Sequence, residues 1–252
     1  MIIRLSIHNT TWWADLQRPI DISLPLKEGS DNPNCYWADP VKIETIVAGN
    51  FIGSVQAGGS VNHRKITLTP HGNGTHTECY GHIAEEEVSV NSVLDKFHFI
   101  SELISIKPVE GPHGDLVITR ELIEAAQKHT YTQALIIRTL PNDSGKRTRH
   151  YSGTNPPYFD KAGMNMLASQ GISHLITDLP SVDKEQDEGR LLAHRAFWCY
   201  PVSTRRQCTI TELAFIDSMV EDGLYLLNLQ IASLELDASP SKPVLYKLQE
   251  VS

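Results

Sequence analysis

The sequence has no long apolar run. Nothing approaches the roughly 18 residues that a membrane-crossing helix needs, so no membrane span is expected. It has little cysteine: Cys35, Cys79, Cys199 and Cys208 form no CxxC pair, which argues against a disulfide framework or a cysteine-rich zinc site. It also lacks an excess of positive charge. The formal net charge is -8, and basic residues gather only in short clusters, Lys146, Arg147 and Arg149, then Arg205 and Arg206, both read as solvated loops. A protein that neutralises a phosphate backbone carries a basic patch, so no nucleic-acid partner is expected. Internal repeats and low-complexity tracts are absent. Residues 1–7 turn polar too quickly for a secretory leader, and the expected location is cytoplasmic.

What is present is an ordinary globular composition. The 252 residues, 40% hydrophobic and 21% charged, suffice to bury a sizeable core. No seam in composition divides them, so a single domain over residues 1–252 is predicted. Residues 20–24 alternate apolar and polar side chains and read as a strand, as do residues 65–69. Between them, residues 27–40 form a polar, turn-rich stretch carrying Tyr36 and Trp37, adjacent aromatics that cover core or line a pocket. Residues 119–129 read as a helix capped by Thr119, with Glu121 in its first turn and Leu122, Ala125 and Ala126 on one face. The mostly apolar residues 134–139 follow as a strand. Residues 158–170 read as a second helix ended by Gly171, and residues 174–178 as a second buried strand. A helix followed by an apolar strand, twice over, implies crossover units and a partly parallel sheet. Residues 224–236 form a long strand pattern with Tyr225, Leu227, Leu229 and Ile231 on one face. The fold class is mixed, sheet-rich α/β.

The chemistry concentrates in residues 71–82, which read His71-Gly72-Asn73-Gly74-Thr75-His76-Thr77-Glu78-Cys79-Tyr80-Gly81-His82. Imidazole and carboxylate are the usual ligands of zinc and of manganese. Side chains two apart on an extended chain share a side, so His76 and Glu78 can grip one ion. If the chain stays extended, His82 lies on that side too, farther along and better placed for a substrate than for the ion. His71 is five residues from His76, an odd separation that points it away. Gly72, Asn73 and Gly74 tolerate positive φ and can turn the chain so that His71 comes back. Trp37 and Tyr80 are candidates for contact with substrate. His8, His63, His98, His113, His129, His150 and His174 have no partner spacing and read as structural or solvated; Asp178 and Asp183 read as turn and strand-end residues.

The segment resembles the signature of the putative cyclase family, which includes bacterial kynurenine formamidase and isatin hydrolase: His-x-Gly-Thr-His-x-Asp-x-Pro-x-His. Gly74, Thr75, His76 and His82 match it in type and spacing, Glu78 takes the aspartate position, Tyr80 replaces the proline, and Gly72 stands where the family has its first histidine. Asp21 to Leu26 (DISLPL), residues 177–183, Leu192-Ala193-His194, Ile210 to Leu213, and the turn Ala238-Ser239-Pro240 resemble further family elements. The resemblance implies a swivelling β/β/α domain and a homo-oligomer. It implies His71, His76 and Glu78 as metal ligands, His194 and Glu212 as completing the set, and His82 as the catalytic histidine. A divalent ion, zinc or alternatively manganese, would activate water and polarise a carbonyl, and an imidazole can give a proton to a leaving nitrogen near neutral pH. The expected activity is hydrolysis of a small amide, an N-formyl arylamine or a cyclic amide. A lactone or other ring opening on the same site, and a non-catalytic binding protein on this scaffold, are the alternatives.

Overall fold

The computed structural model describes residues 1–111 and 114–251; His113 lies outside them. Seven strands close into a ring. Gly223–Ile231 pairs with His98–Ile106, and the order continues through Ala134–Thr139, His174–Thr177, Thr209–Glu212, His76–Cys79 and Ala238–Lys247, which returns to Gly223–Ile231. Ile20–Asp21 adds to the far part of Ala238–Lys247. The four strands from His98–Ile106 to Thr209–Glu212 run parallel, and the other pairings are antiparallel.

Alternation along the strands divides the core in two. Leu135, Ile137, Leu175 and Ile210 face outward and pack under two helices, against Met164 and Leu167 of Lys161–Ser169 and Phe197 and Trp198 of Leu192–Trp198. Ala134, Ile136 and Ile176 face the other way, where Tyr225, Leu227, Leu229 and Leu245 meet them across the ring. Both sides of the central strands are thus apolar, which is why they read as continuous hydrophobic runs. The face of Gly223–Ile231 that holds Leu224 and Leu226 is covered as well, by the hairpin of Ile2–Ile7 and Thr10–Asp15.

Several expectations shift in detail. The strand at residues 20–24 shortens to Ile20–Asp21: Ile22 N–H still donates to Pro243 of the neighbouring strand, but proline has no N–H to return the bond, and Leu24 N–H goes to the Thr75 hydroxyl. The helix expected at residues 119–129 is Arg120–Ala126. Thr119 makes no side-chain cap, and the buried residue is Ile123 while Ala125 is exposed. The second helix begins only at Lys161, because Asp160 caps it by accepting from Gly163 N–H; Tyr158–Phe159 before it pairs as a strand with Leu116–Ile118. Gly171, at φ +80, ends that turn as expected. The strand read at residues 65–69 is Arg64–Thr67, paired with Lys42–Thr45 in a short, largely exposed ribbon. The basic clusters are not uniformly solvated: Lys146 is buried against Asp178, and Arg205 donates to the carbonyls of Phe197 and Ile172. No helix among the described residues is long and apolar enough to cross a membrane.

Candidate metal centre

Strand His76–Cys79 lies between Thr209–Glu212 and Ala238–Lys247 and is buried throughout. Thr77 points into the ring, its hydroxyl 2.7 Å from that of Thr211 on the neighbouring strand. His76 and Glu78 therefore project together toward the helix-covered face, both at 0% exposure. The register sets Glu212 opposite His76, and opposite Glu78 it sets Ala238, whose small side chain leaves room. His76 Nδ1 lies 3.0 Å from the Gly74 carbonyl. A carbonyl only accepts, so Nδ1 carries the proton and Nε2 presents a lone pair to the site.

His71 reaches the site through a tight turn. Gly72 and Asn73 both donate to the Thr69 carbonyl, and the Asn73 side chain closes the turn by accepting from Thr69 N–H. Gly74 takes φ +75, while Gly72 is required for space: a Cβ there would lie 2.3 Å from the Cβ of Ala38. Asn73 needs no positive φ. The turn places His71 Nδ1 3.2 Å from Glu78 Oε2 and Nε2 2.7 Å from Asp237 Oδ2.

His194 comes from helix Leu192–Trp198, held from behind by Asp183, which accepts from His194 Nδ1 at 2.6 Å and from Ala193 N–H at 2.7 Å. Its Nε2 lies 3.0 Å from Glu78 Oε1. Glu212 is fixed by Val182 N–H on Oε1, and its Oε2 sits 3.4 Å from His76 Nε2. His82 does not arrive along an extended chain. The strand ends at Cys79 and a 3₁₀ turn, Tyr80–His82, brings the imidazole round over His71, ring centroids 4.2 Å apart. His82 is the most open of the four histidines, its side chain 31% exposed.

The carboxylates of this site demand positive charge. Burial alone would raise the Glu78 carboxyl, but His82 and His194 beside it hold it well below the usual range. Burial opposes a charge on His71, yet its bond to Asp237 and the nearby charge of Glu78 push it up to about 10. His194, also opposed by burial, is raised well above its ordinary value by Glu78 and Asp183. Even so, two buried atoms of the site have no hydrogen-bond partner among the described residues: His76 Nε2 and Glu78 Oε2. Such orphans are costly unless something outside the chain satisfies them. His71, His76 and Glu78 bring ligand atoms within 4.8 Å of one another, as do Glu78, His82 and His194. Imidazole nitrogens, a carboxylate oxygen and unsatisfied lone pairs converging in a buried pocket suit a divalent cation.

Comparison with known proteins agrees with the geometry. A family model described as Putative cyclase matches residues 20–184. The chain belongs to the putative cyclase family. A relative named kynurenine formamidase, from Polaromonas naphthalenivorans (strain CJ2), is 26% identical over 230 residues, 90% of each chain. Among solved structures, a potential metal-dependent hydrolase with cyclase activity superposes with a TM-score of 0.65 at 16% identity, covering 91% of this chain and 97% of the other. Isatin hydrolase A from Labrenzia aggregata, bound to benzyl benzoate, gives a TM-score of 0.65 at 14% identity, covering 91% and 93%. These likenesses show that the ring-and-helix fold is that of the family.

Within this cyclase-family site, two expected residues stand elsewhere. Tyr80 is buried in the outer core and its hydroxyl accepts from Arg206 at 2.7 Å, so its ring packs instead of facing a substrate. Trp37 lines a surface groove of about 450 Å³ with Ser30, Asn32, Asn73 and His150, none of them a metal-ligand candidate. Its neighbour Tyr36, also at positive φ, is still 45% exposed. The Tyr36 hydroxyl is pushed up by burial and by Glu212 and sits beside Ser181. Cys79 is filler, its thiol directed at the Val88 carbonyl. One acidic residue was read otherwise and one was not read at all. Asp183, read as a turn or strand-end residue, is also the partner of His194, and Asp237 holds His71 and His82.

Proposed function

We propose that this chain is a metal-dependent hydrolase of a small amide, either an N-formyl arylamine or a cyclic amide. In this reading His71, His76 and Glu78 hold a divalent ion, zinc in the first place and manganese in the second, and His194 and Glu212 extend the donor set. The observation that carries it is the pair of buried, unpartnered atoms, His76 Nε2 and Glu78 Oε2, aimed into one space beside His71. Kinship with a relative named kynurenine formamidase and a fold shared with proteins titled isatin hydrolase support the substrate class. An ion held there supplies Lewis acidity toward a carbonyl oxygen and toward water.

The chain's own groups do the rest. Glu78 and Glu212, fixed by His194 and by Val182 N–H, keep the donors in place. Tyr36, with its hydroxyl near Glu212 and Ser181, borders the space. Hydrolysis adds water across the C–N bond: the carbonyl carbon keeps the oxygen and the nitrogen must gain a proton. His82 is placed to deliver that proton, its Nδ1 held by Asp237 and its ring partly open to solvent. A small-molecule substrate and a homo-oligomeric form belong to the same reading.

The test combines metal analysis of protein purified without chelator with a panel of aryl formamides, cyclic amides and lactones. Tightly held zinc or manganese with turnover of an amide is the expected result. Turnover of lactones alone would reassign the substrate, and a protein that takes up no ion and turns over nothing would overturn the reading.

A further inference from the structure

Asp237 stands just before strand Ala238–Lys247, with its carbonyl accepting from Cys79 N–H at 3.0 Å. Its backbone is thereby tied to the end of the strand that carries His76 and Glu78. One oxygen of its side chain, Oδ2, meets two histidines: His71 Nε2 at 2.7 Å and His82 Nδ1 at 3.3 Å. The two rings lie over one another, tilted by 33°. An ionised carboxylate accepts and never donates, so both nitrogens facing it must carry protons. That single requirement sets both rings. In its neutral form His71 keeps its proton on Nε2 and has Nδ1, the nitrogen facing Glu78, to offer an ion, and neutral His82, protonated on Nδ1, has Nε2 for proton exchange with a substrate.

We propose that Asp237 is a positioning residue that fixes the tautomers of His71 and His82 together, presenting Nδ1 of the first to the ion and Nε2 of the second to the substrate. The proposal rests on the hydrolase reading for its purpose, but its geometry stands on contacts with residues that the reading already uses. It assigns work to a carboxylate outside the ligand set of that reading, and it links the ion-holding histidine to the proton-carrying one through a single oxygen. A histidine ligand whose remote nitrogen is held by a carboxylate is fixed in orientation and made a better donor, and removal of such a partner commonly weakens metal binding about 10- to 100-fold.

The experiment compares wild type with Asp237→Ala and Asp237→Asn, using zinc. Three quantities are read: zinc affinity by competition with a chelator, kcat and KM on an amide that the wild type hydrolyses, and the ring-nitrogen NMR spectra of the histidines with and without zinc. Asp237→Ala is expected to weaken zinc binding about 10- to 100-fold, to lower kcat with little change in KM, and to lose the slowly exchanging Nε2–H of His71 and the Nδ1–H of His82. Asp237→Asn, whose amide oxygen still accepts from both rings, is expected to restore a large part of each. Unchanged affinity and unchanged ring spectra in Asp237→Ala would overturn the proposal. So would loss of a whole zinc equivalent in both variants, which would make Asp237 a ligand. A wild type that binds no zinc contradicts the hydrolase reading instead. The spectra of the metal-free protein still decide the matter for Asp237: His82 protonated on Nδ1 in wild type and not in Asp237→Ala supports the proposal, and the same tautomer in both refutes it.

Discussion

Lys146 and Asp178 are buried almost as deeply as His76 and Glu78, yet the two clusters are finished differently. The Lys146 ammonium meets the Thr139 carbonyl at 2.7 Å, the Thr139 hydroxyl at 2.8 Å and Asp178 Oδ2 at 2.8 Å, and Asp178 also accepts from Thr139 N–H. Every polar atom there is answered from within the chain. Between His76 and Glu78 two atoms are left over. A buried charge cluster that closes on itself ties elements together, here the ends of two parallel strands and the turn of Ser144–Arg147. One that stays open by two lone pairs has a place for something from outside. The same contrast runs along a single segment: residues 178–183 begin at the closed cluster and end at Asp183, which orients His194 in the open one.

The comparison can be broken most forcefully at His82, which belongs to the open cluster but not to the orphaned pair. His82→Ala is expected to lower kcat by about 10² to 10⁴, the usual worth of a positioned proton donor, while the bound metal stays at the wild-type stoichiometry; full activity would remove His82 from the chemistry. Next in size is Lys146→Met. Removing one member of a buried pair leaves the other uncompensated and costs about 3–5 kcal/mol, read as a drop in the denaturation midpoint. Added zinc should not selectively rescue that loss; if zinc stabilises Lys146→Met far more than wild type, the closed cluster is not independent of the open one.

A third test concerns a histidine outside both clusters. His174 is buried beside Phe99, ring centroids 3.9 Å apart, with Nδ1 2.8 Å from the Thr209 hydroxyl. Burial, with Arg205 adding to it, lowers its pKa from 6.5 to about 4. The folded protein therefore binds fewer protons than the unfolded chain between those values. The stability contributed by neutral His174 is complete above pH about 6.5 and is lost as pH falls toward about 4, a span worth about 3 kcal/mol. Chemical denaturation at a series of pH values should show that slope in wild type and a shallower one in His174→Gln. The smallest expected effect is at Trp37. Trp37→Ala should leave kcat and metal content within about twofold, because its groove holds none of the ion-facing atoms, whereas Tyr36→Phe should move KM.

Much of this was legible along the chain. The strand Ala134–Thr139 has the bounds its apolar run predicts, and the histidine cluster announces its chemistry by residue type alone. What pattern reading lost was set by distant contacts. Asp237 lies 155 positions from His82, and only closure of the ring through Ala238–Lys247 carries it there. Lys146 looked solvated because its partner, Asp178, waits at the end of another strand. Tyr80 looked like a pocket residue because it sits between Glu78 and His82, but the 3₁₀ turn rotates it into the core. The His71 turn was half legible. Its glycines are visible, but that Gly72 is needed for clearance from Ala38 depends on a loop more than thirty residues away.

Anomalous diffraction at the zinc edge, on crystals of the zinc-loaded protein, bears most directly on the orphaned atoms. The account predicts an ion within about 2.0–2.2 Å of both His76 Nε2 and Glu78 Oε2, with His71 Nδ1 as a third neighbour. An anomalous peak elsewhere, or none in that space at saturating zinc, would contradict it.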